Sequence, residues 1–131
     1  MGGRKVGVYL PSDVLEALER LRVAQGGASY SRVVQEALRL YLSERVLGDC
    51  VAVGFINVLY DHEKQGSDEA LTDAQHRFMD VVLFASHVHV DERRCLLSIA
   101  VRGPSRRIEE LVESVQRGPG ILLTRPTLIC L

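Results

Sequence analysis

The chain has 131 residues, of which 47% are hydrophobic and 25% charged, and its formal net charge is −1. This length provides for one or two small domains, and the near-neutral charge gives no electrostatic sign of nucleic-acid binding by the chain as a whole. No apolar stretch reaches the roughly 18 residues that a membrane span needs, and residues 1–5 lead into no apolar helix typical of a signal peptide. We therefore expect a cytoplasmic protein without a membrane partner.

The three cysteines are far apart, and their odd number does not suggest a disulfide framework. Cys50 and Cys130 lie in apolar runs, so we interpret them as small core residues in a reducing compartment. Cys95 differs from them because it follows a charged, turn-like stretch at 91–94 and lies close in sequence to three of the four histidines.

The first predicted element is a strand at residues 4–10, in which apolar residues alternate with others. The side that would face a core is apolar: Val6, Val8 and Leu10. The opposite side would face outward: Lys5, Gly7 and Tyr9.

Two helices are predicted after this strand. The first is capped by Ser12 and stops at Gly26 and Gly27. The second is capped by Ser29 or Ser31, and Gly48 marks its end. One strand and two helices of this size are not stable alone, so the pattern predicts that this segment pairs with a second copy of itself.

Two copies of residues 1–48 would form a two-stranded antiparallel ribbon with four helices around one core. This is the ribbon-helix-helix arrangement, an intertwined β-α-α dimer in which outward strand residues enter the major groove of DNA. The segment carries an excess of two positive charges, which a dimer doubles.

Residues 49–131 follow a β-α-β-β-α-β order, so the whole chain is predicted to be α+β. The predicted elements are a strand at 50–60, a helix at 67–85, strands at 86–91 and 94–102, a helix from 104 and a strand at 121–131. This order is that of a ferredoxin-like sheet with both helices on one face, the layout of the ACT domain.

A candidate metal site lies in the predicted hairpin. His87 and His89 are two apart on a strand, so both imidazoles point the same way. Cys95 joins them only if the hairpin pairs odd with odd residues, because a two-residue turn at Glu92 and Arg93 would send the thiol to the other face. Imidazoles and a thiolate suit Ni(II) or Cu(II) in a square plane and Zn(II) in a tetrahedron.

The chain resembles the NikR family of nickel-responsive transcriptional repressors, which join a ribbon-helix-helix domain to an ACT-like metal-sensing domain. The stretches that carry the resemblance are Tyr60-Asp61-His62-Glu63-Lys64, Gln75-His76, and His87-Val88-His89 followed by Cys95. It implies a DNA-binding domain at 1–48 and a metal-binding, tetramerisation domain at 49–131. It also implies one Ni(II) per subunit, bound by His87, His89 and Cys95 together with His76 of a neighbouring subunit.

The resemblance further implies that a homotetramer, a dimer of dimers, binds a palindromic double-stranded operator. Nickel would raise operator affinity and repress nickel-uptake genes. Three residues match positions that orient the ligands: Tyr60, Gln75 and His62. The alternative for His62, and the one we favour, is a polar residue at the end of a strand with no role in the site. The acidic residue that the family often has two positions after the cysteine is Leu97 here.

The DNA-contacting positions depart most from the family pattern. Base contacts would come from Lys5 and Tyr9, while Gly7 has no side chain with which to read a base. Phosphate contacts are expected from Arg4 and from the start of the second helix: Ser29, Ser31 and Arg32. Glu36 matches an acidic ligand of the family's second cation, but Arg32 occupies the place of another ligand and can supply the positive charge itself.

Two other functions are compatible with the sequence. One is a ribbon-helix-helix regulator that senses a small molecule or another divalent metal at the ACT-like interface. The other is an enzyme that uses the same ligands, but no acid, base or nucleophile accompanies them. We therefore expect a protein that is not an enzyme.

Overall fold

The computed structural model describes residues 2–43 and 48–131. The chain divides into two compact units, Met1–Leu40 and Tyr41–Leu131. The end predicted for the second helix, just before Gly48, falls at residues 44–47, which lie outside the described part of the chain.

The first unit contains helix α1, Ser12–Ala24, and most of helix α2, Tyr30–Ser43, whose last three described residues belong to the second unit. Pro11, not Ser12, is the N-cap of α1, and the Leu15 amide donates to its carbonyl oxygen. Ser29 caps α2, because its hydroxyl accepts a hydrogen bond from the Arg32 amide. Gly26 ends α1 as predicted, with a positive φ that a glycine adopts without strain.

Residues 2–11 form no strand in the single chain, although one is predicted at 4–10. The physical reason is that no second strand pairs with this segment within the described part of the single chain, and an extended segment without a hydrogen-bonded neighbour is not stable as a strand. Val6 and Val8, predicted to face a core, are 73% and 72% exposed. Among residues 2–43, Val33 is the one buried side chain, so this unit has almost no core of its own.

The second unit has the predicted β-α-β-β-α-β order. Its elements are β1 Val51–Asp61, α3 Ser67–Arg77, β2 Val82–His89, β3 Arg94–Pro104, α4 Ser105–Gln116 and β4 Ile121–Cys130. The strands form one antiparallel sheet in the order β2-β3-β1-β4. A mixed α/β unit with this four-stranded sheet is consistent with an ACT-like domain.

The helix predicted at 67–85 is too long, because α3 ends at Arg77. Residues 78–81 turn, and β2 begins at Val82 instead of Ser86 and ends at His89. Apolar residues continue at helical spacing through 85, but those from 81 to 84 are β-branched, aromatic or Leu and suit a strand equally well. Arg107 holds the turn with hydrogen bonds to the Arg77 carbonyl and the Asp80 carboxylate.

Cys50 and Cys130 form a disulfide, which corrects the interpretation of both as simple core residues. Their Cα atoms lie 5.8 Å apart across the ends of β1 and β4, where Ala52 pairs with Cys130. Neither sequence separation nor the odd cysteine count revealed the pairing, because it depends on the register of two strands that are distant in sequence.

The two faces of the sheet differ. One face forms a core with α3 and α4, in which Ile56, Ile99, Ile108 and Leu111 are fully buried. The opposite face carries large apolar side chains that are roughly half exposed: Phe55, Phe84, Val88, Leu123 and Ile129. Among the described residues, no helix is long and apolar enough to cross a membrane.

Candidate metal centre

The β2–β3 hairpin has the register that a shared metal site requires. His89 pairs with Cys95, and His87 pairs with Leu97, so odd residues face odd residues. Asp91 shapes the connecting loop by accepting hydrogen bonds from the Arg93 and Arg94 amides. The thiol and both imidazoles therefore lie on the same face of the sheet.

Three potential ligand atoms meet at this place. Nδ1 of His89 lies 3.4 Å from Sγ of Cys95, and the ligand atoms of His87, His89 and Cys95 all lie within 4.8 Å of one another. Donors bound to one ion at about 2.1 and 2.3 Å are at most about 4.4 Å apart, so the His89–Cys95 distance fits a shared ion. Borderline nitrogen and soft sulfur donors suit nickel, copper or zinc.

The three potential ligands differ in how deeply they are buried. Cys95 is fully buried, whereas both imidazoles are exposed. Burial raises the pKa of the Cys95 thiol, the Asp68 carboxylate raises it further, and the Tyr60 hydroxyl partly opposes both. Without an ion the thiol is thus held in its neutral form, and a bound ion must displace its proton.

Tyr60 lies against His87, and its partner Asp68 was missed by the sequence analysis. The Tyr60 hydroxyl donates a hydrogen bond to Oδ1 of Asp68 at 3.0 Å and lies 3.1 Å from Nε2 of His87. The rings of Tyr60 and His87 are nearly parallel, with an interplanar angle of 18° and centroids 6.2 Å apart. Asp68 resembles an ordinary first-turn acid of α3 in the sequence, and only the return of α3 past β1 brings it here.

The other predicted site residues lie at different distances from the cluster. His62 donates from Nε2 to the Glu92 carbonyl, and its ring centroid is 6.4 Å from that of His89. Gln75 donates to the Leu71 carbonyl of its own helix. His76 is exposed on α3, beside a groove that Asp73 and Arg77 also line, and is not part of the three-residue cluster.

The predicted DNA-contacting residues all belong to the first unit. The three residues predicted to face outward from the strand at 4–10, and the adjacent Arg4, are all exposed: Arg4, Lys5, Gly7 and Tyr9. Those at the start of α2 are also exposed: Ser29, Ser31 and Arg32. Arg32 forms an ion pair with Glu36 at 3.2 Å, so a guanidinium lies against the carboxylate at the place considered for a second cation.

Comparison with known proteins points to one family. Residues 53–129 match the family described as NikR C terminal nickel binding domain. A protein of Saccharolobus solfataricus named "Putative nickel-responsive regulator" is 37% identical over 125 residues, covering 95% of this chain and 92% of that protein. "Putative nickel-responsive regulator 3" of Methanosarcina acetivorans is 30% identical over 128 residues, covering 95% and 91%.

A solved structure of an uncharacterized protein from Thermotoga maritima is also similar, with a TM-score of 0.49 and 12% identity. The structural match covers 64% of this chain and 99% of the Thermotoga maritima chain. The relatives by sequence are named as regulators, which are not enzymes.

Proposed function

Since this chain belongs to the NikR family of nickel-binding regulators, we propose that it is a transcriptional repressor that binds operator DNA when it holds Ni(II) and so controls nickel-uptake genes. The observation that carries the proposal is the cluster of His87, His89 and Cys95, whose ligand atoms lie within 4.8 Å of one another inside the matched region. We place this activity in the cytoplasm, where the operator is.

The cluster would bind one Ni(II) per subunit, with a fourth donor from outside the chain. His87 and His89 are exposed, so the cluster is open on one side. His76 is exposed on α3 but is not part of the cluster in its own chain. We therefore assign the fourth position to His76 of a neighbouring subunit, which makes the site an inter-subunit bridge.

Exposed apolar surface supports a homotetramer. The uncovered face of the sheet presents half-exposed Phe55, Phe84 and Ile129, and contiguous apolar patches of this kind mark interfaces. The first unit independently needs a partner, because Val33 is its one buried side chain among residues 2–43. Two kinds of contact, one in each unit, produce a dimer of dimers.

The first unit would form the ribbon-helix-helix dimer. Residues 4–10 would pair with their copy and turn Val6 and Val8 inward, which buries side chains that are now exposed. Lys5 and Tyr9 would then reach base edges in the major groove of a palindromic operator. Arg4 and the start of α2, with its backbone amide groups and Arg32, would contact phosphates.

Nickel and operator would each raise the affinity for the other by the same factor, typically about 5–150-fold. An ion held by ligands from two subunits restricts how the second units sit together. That restriction would in turn limit the separations that the two DNA-binding dimers can adopt. Nickel binding is thus coupled to operator spacing without any contact between ion and DNA.

The experiment is operator binding by the full chain, measured metal-free, with stoichiometric Ni(II) and with stoichiometric Zn(II). We expect tight binding with nickel, accompanied by thiolate-to-nickel absorption bands that disappear in Cys95→Ala. Equal binding under all three conditions contradicts a nickel-responsive function. Binding with zinc alone would favour a regulator of another divalent metal.

A further inference from the structure

We propose that Asp68 is a positioning residue that acts through Tyr60 to hold His87 with its proton on Nε2, which leaves Nδ1 to bind the metal. This inference deepens the proposed function and rests on it for the identity of the ion. It concerns residues of a single chain, so it can be tested on the metal-free protein.

The direction of two hydrogen bonds carries the inference. The Tyr60 hydroxyl has one proton and three polar neighbours: Oδ1 of Asp68 at 3.0 Å, Nε2 of His87 at 3.1 Å and the sulfur of Cys95. An ionised carboxylate only accepts, so the hydroxyl donates its proton to Asp68. Toward His87 the same oxygen must then accept, and Nε2 must carry the hydrogen.

A competing acceptor does not change this result. Cys95 is the cross-strand partner of Tyr60, so its sulfur lies on the same side of the sheet as the hydroxyl. A neutral thiol is a weak acceptor, whereas a hydrogen bond to a carboxylate is charge-assisted and shorter. The Tyr60 side chain is only 3% exposed, so solvent offers its hydroxyl little alternative.

The tautomer matters because a neutral imidazole has one nitrogen lone pair. With Nε2 protonated, that lone pair is on Nδ1, and the ring is already prepared to act as a ligand. Without Asp68, the Tyr60 proton is free to turn toward Nε2. His87 would then favour the opposite tautomer, in which Nδ1 carries a proton that binding must displace.

The chain offers a matched control for the substitution. Asp68 and Glu69 are adjacent acids in the first turn of α3, and both are exposed. Asp68→Ala and Glu69→Ala therefore remove the same favourable charge from the helix N-terminus, but only Asp68→Ala removes the acceptor of the Tyr60 hydroxyl. Tyr60→Phe removes the intermediate hydroxyl and should reproduce the Asp68→Ala effect on His87.

The primary measurement is the ¹⁵N spectrum of the histidine rings in the metal-free full chain at about pH 8, where an ordinary imidazole is neutral. We expect the Nε2–H pattern for His87 in the wild type and in Glu69→Ala. In Asp68→Ala and Tyr60→Phe we expect a shift toward the Nδ1–H form or a mixture of both. An unchanged tautomer in Asp68→Ala overturns the inference, as does Nδ1–H in the wild type.

Nickel titration provides the second measurement. Affinity should fall about 10–100-fold in Asp68→Ala and Tyr60→Phe, the usual loss when a group that orients a ligand is removed, and stay unchanged in Glu69→Ala. If the wild type binds nickel and Asp68→Ala binds it equally well, the positioning role is wrong while the proposed function stands. If the wild type binds no nickel, the proposed function fails, whatever the tautomer of His87.

Discussion

Nδ1 of His89 and Sγ of Cys95 lie 3.4 Å apart because the two residues are cross-strand partners at the end of the β2–β3 hairpin. The backbone hydrogen bonds of the hairpin thus fix two donors before any ion arrives. His87 is two residues further along the same strand and on the same face, and its imidazole centroid is 4.8 Å from that of His89. One short hairpin therefore positions three donors.

The first prediction concerns these donors. His89→Ala or Cys95→Ala should lower nickel affinity by more than about 100-fold, because losing a ligand costs more than losing a group that orients one. Competition against a chelator of known affinity measures the change. Ser86→Ala is the control, since Ser86 lies on β2 but faces the other side of the sheet. Equal affinities in all three variants would place the nickel elsewhere.

The second prediction is a dependence on pH. The pKa of the Cys95 thiol is raised, chiefly by burial, so the thiol is protonated at neutral pH and nickel binding releases that proton. Affinity should therefore fall about tenfold for each unit of decreasing pH below that pKa, to the extent that this proton alone is released. Potentiometric measurement of the protons released when nickel binds tests whether loss of the thiol proton causes the pH dependence.

Opening of the hairpin does not explain such a loss. The Arg94 guanidinium lowers the pKa of Asp91 to about 2. The ion pair between these two side chains, which shapes the loop, therefore stays charged at every pH well above that value. The raised thiol pKa affects folding in the opposite direction. Nickel affinity falls as the pH drops, whereas the stability of the metal-free fold falls as the pH rises. The stabilisation that the raised pKa gives the metal-free fold is present at neutral pH and is lost as pH rises through the folded-state pKa.

The sequence was sufficient for the element order of the second unit and for the shared face of His87 and His89, because alternation along a strand determines which side chains share a side. It left open the hairpin register that brings Cys95 to that face. It failed at residues 78–85, where apolar spacing suited both a helix and a strand. It also missed the Cys50–Cys130 disulfide and Asp68, whose contacts depend on elements distant in sequence. Local patterns indicated the candidate ligands and Tyr60, whereas the contact between Asp68 and Tyr60 required the tertiary structure.

The third prediction concerns the disulfide. Cys130→Ser or Cys50→Ser should lower the free energy of unfolding of the second unit by about 2–4 kcal/mol, because the bond closes a loop between residues 80 apart. The double variant should lose no more than either single one, since all three lack the same bond. Urea unfolding of the full chain, with and without a reductant, measures the effect.

Nickel affinity provides the internal control for that experiment. Cys50 precedes β1 and Tyr60 lies near its other end, so the disulfide is about 30 Å from the donors. Reduction should leave nickel binding unchanged. A stability that does not respond to reductant would show that the thiols are unpaired in solution.

The fourth prediction separates the two sides of residues 4–10. Val8→Asp should abolish both pairing of the first unit and operator binding, because it places a charge on the side predicted to be buried between two copies. Lys5→Ala should leave pairing intact and weaken operator binding, since Lys5 is predicted to face DNA. Sedimentation measures the pairing of subunits and operator titration measures DNA affinity, so together they distinguish the two variants. An unchanged homotetramer in Val8→Asp would contradict the ribbon, because the second units alone should hold only dimers together.

The fifth prediction concerns His76 and the neighbouring subunit. His76→Ala and Cys95→Ala should each lose tight nickel binding when pure, because every site then lacks one donor. If the two variants are unfolded together and refolded as mixed oligomers, some interfaces join His76 of one chain to the His87, His89 and Cys95 of another. Those interfaces should regain tight binding, whereas a site within a single chain could not be restored by mixing.

The control for this complementation is a mixture of His89→Ala with Cys95→Ala. Both substitutions fall in the same cluster of one chain, so no arrangement of subunits rebuilds an intact set of donors. Nickel titration should therefore show tight sites in the first mixture and none in the second. Equal recovery in both mixtures, or none in either, would mean that His76 does not complete the site across a subunit interface.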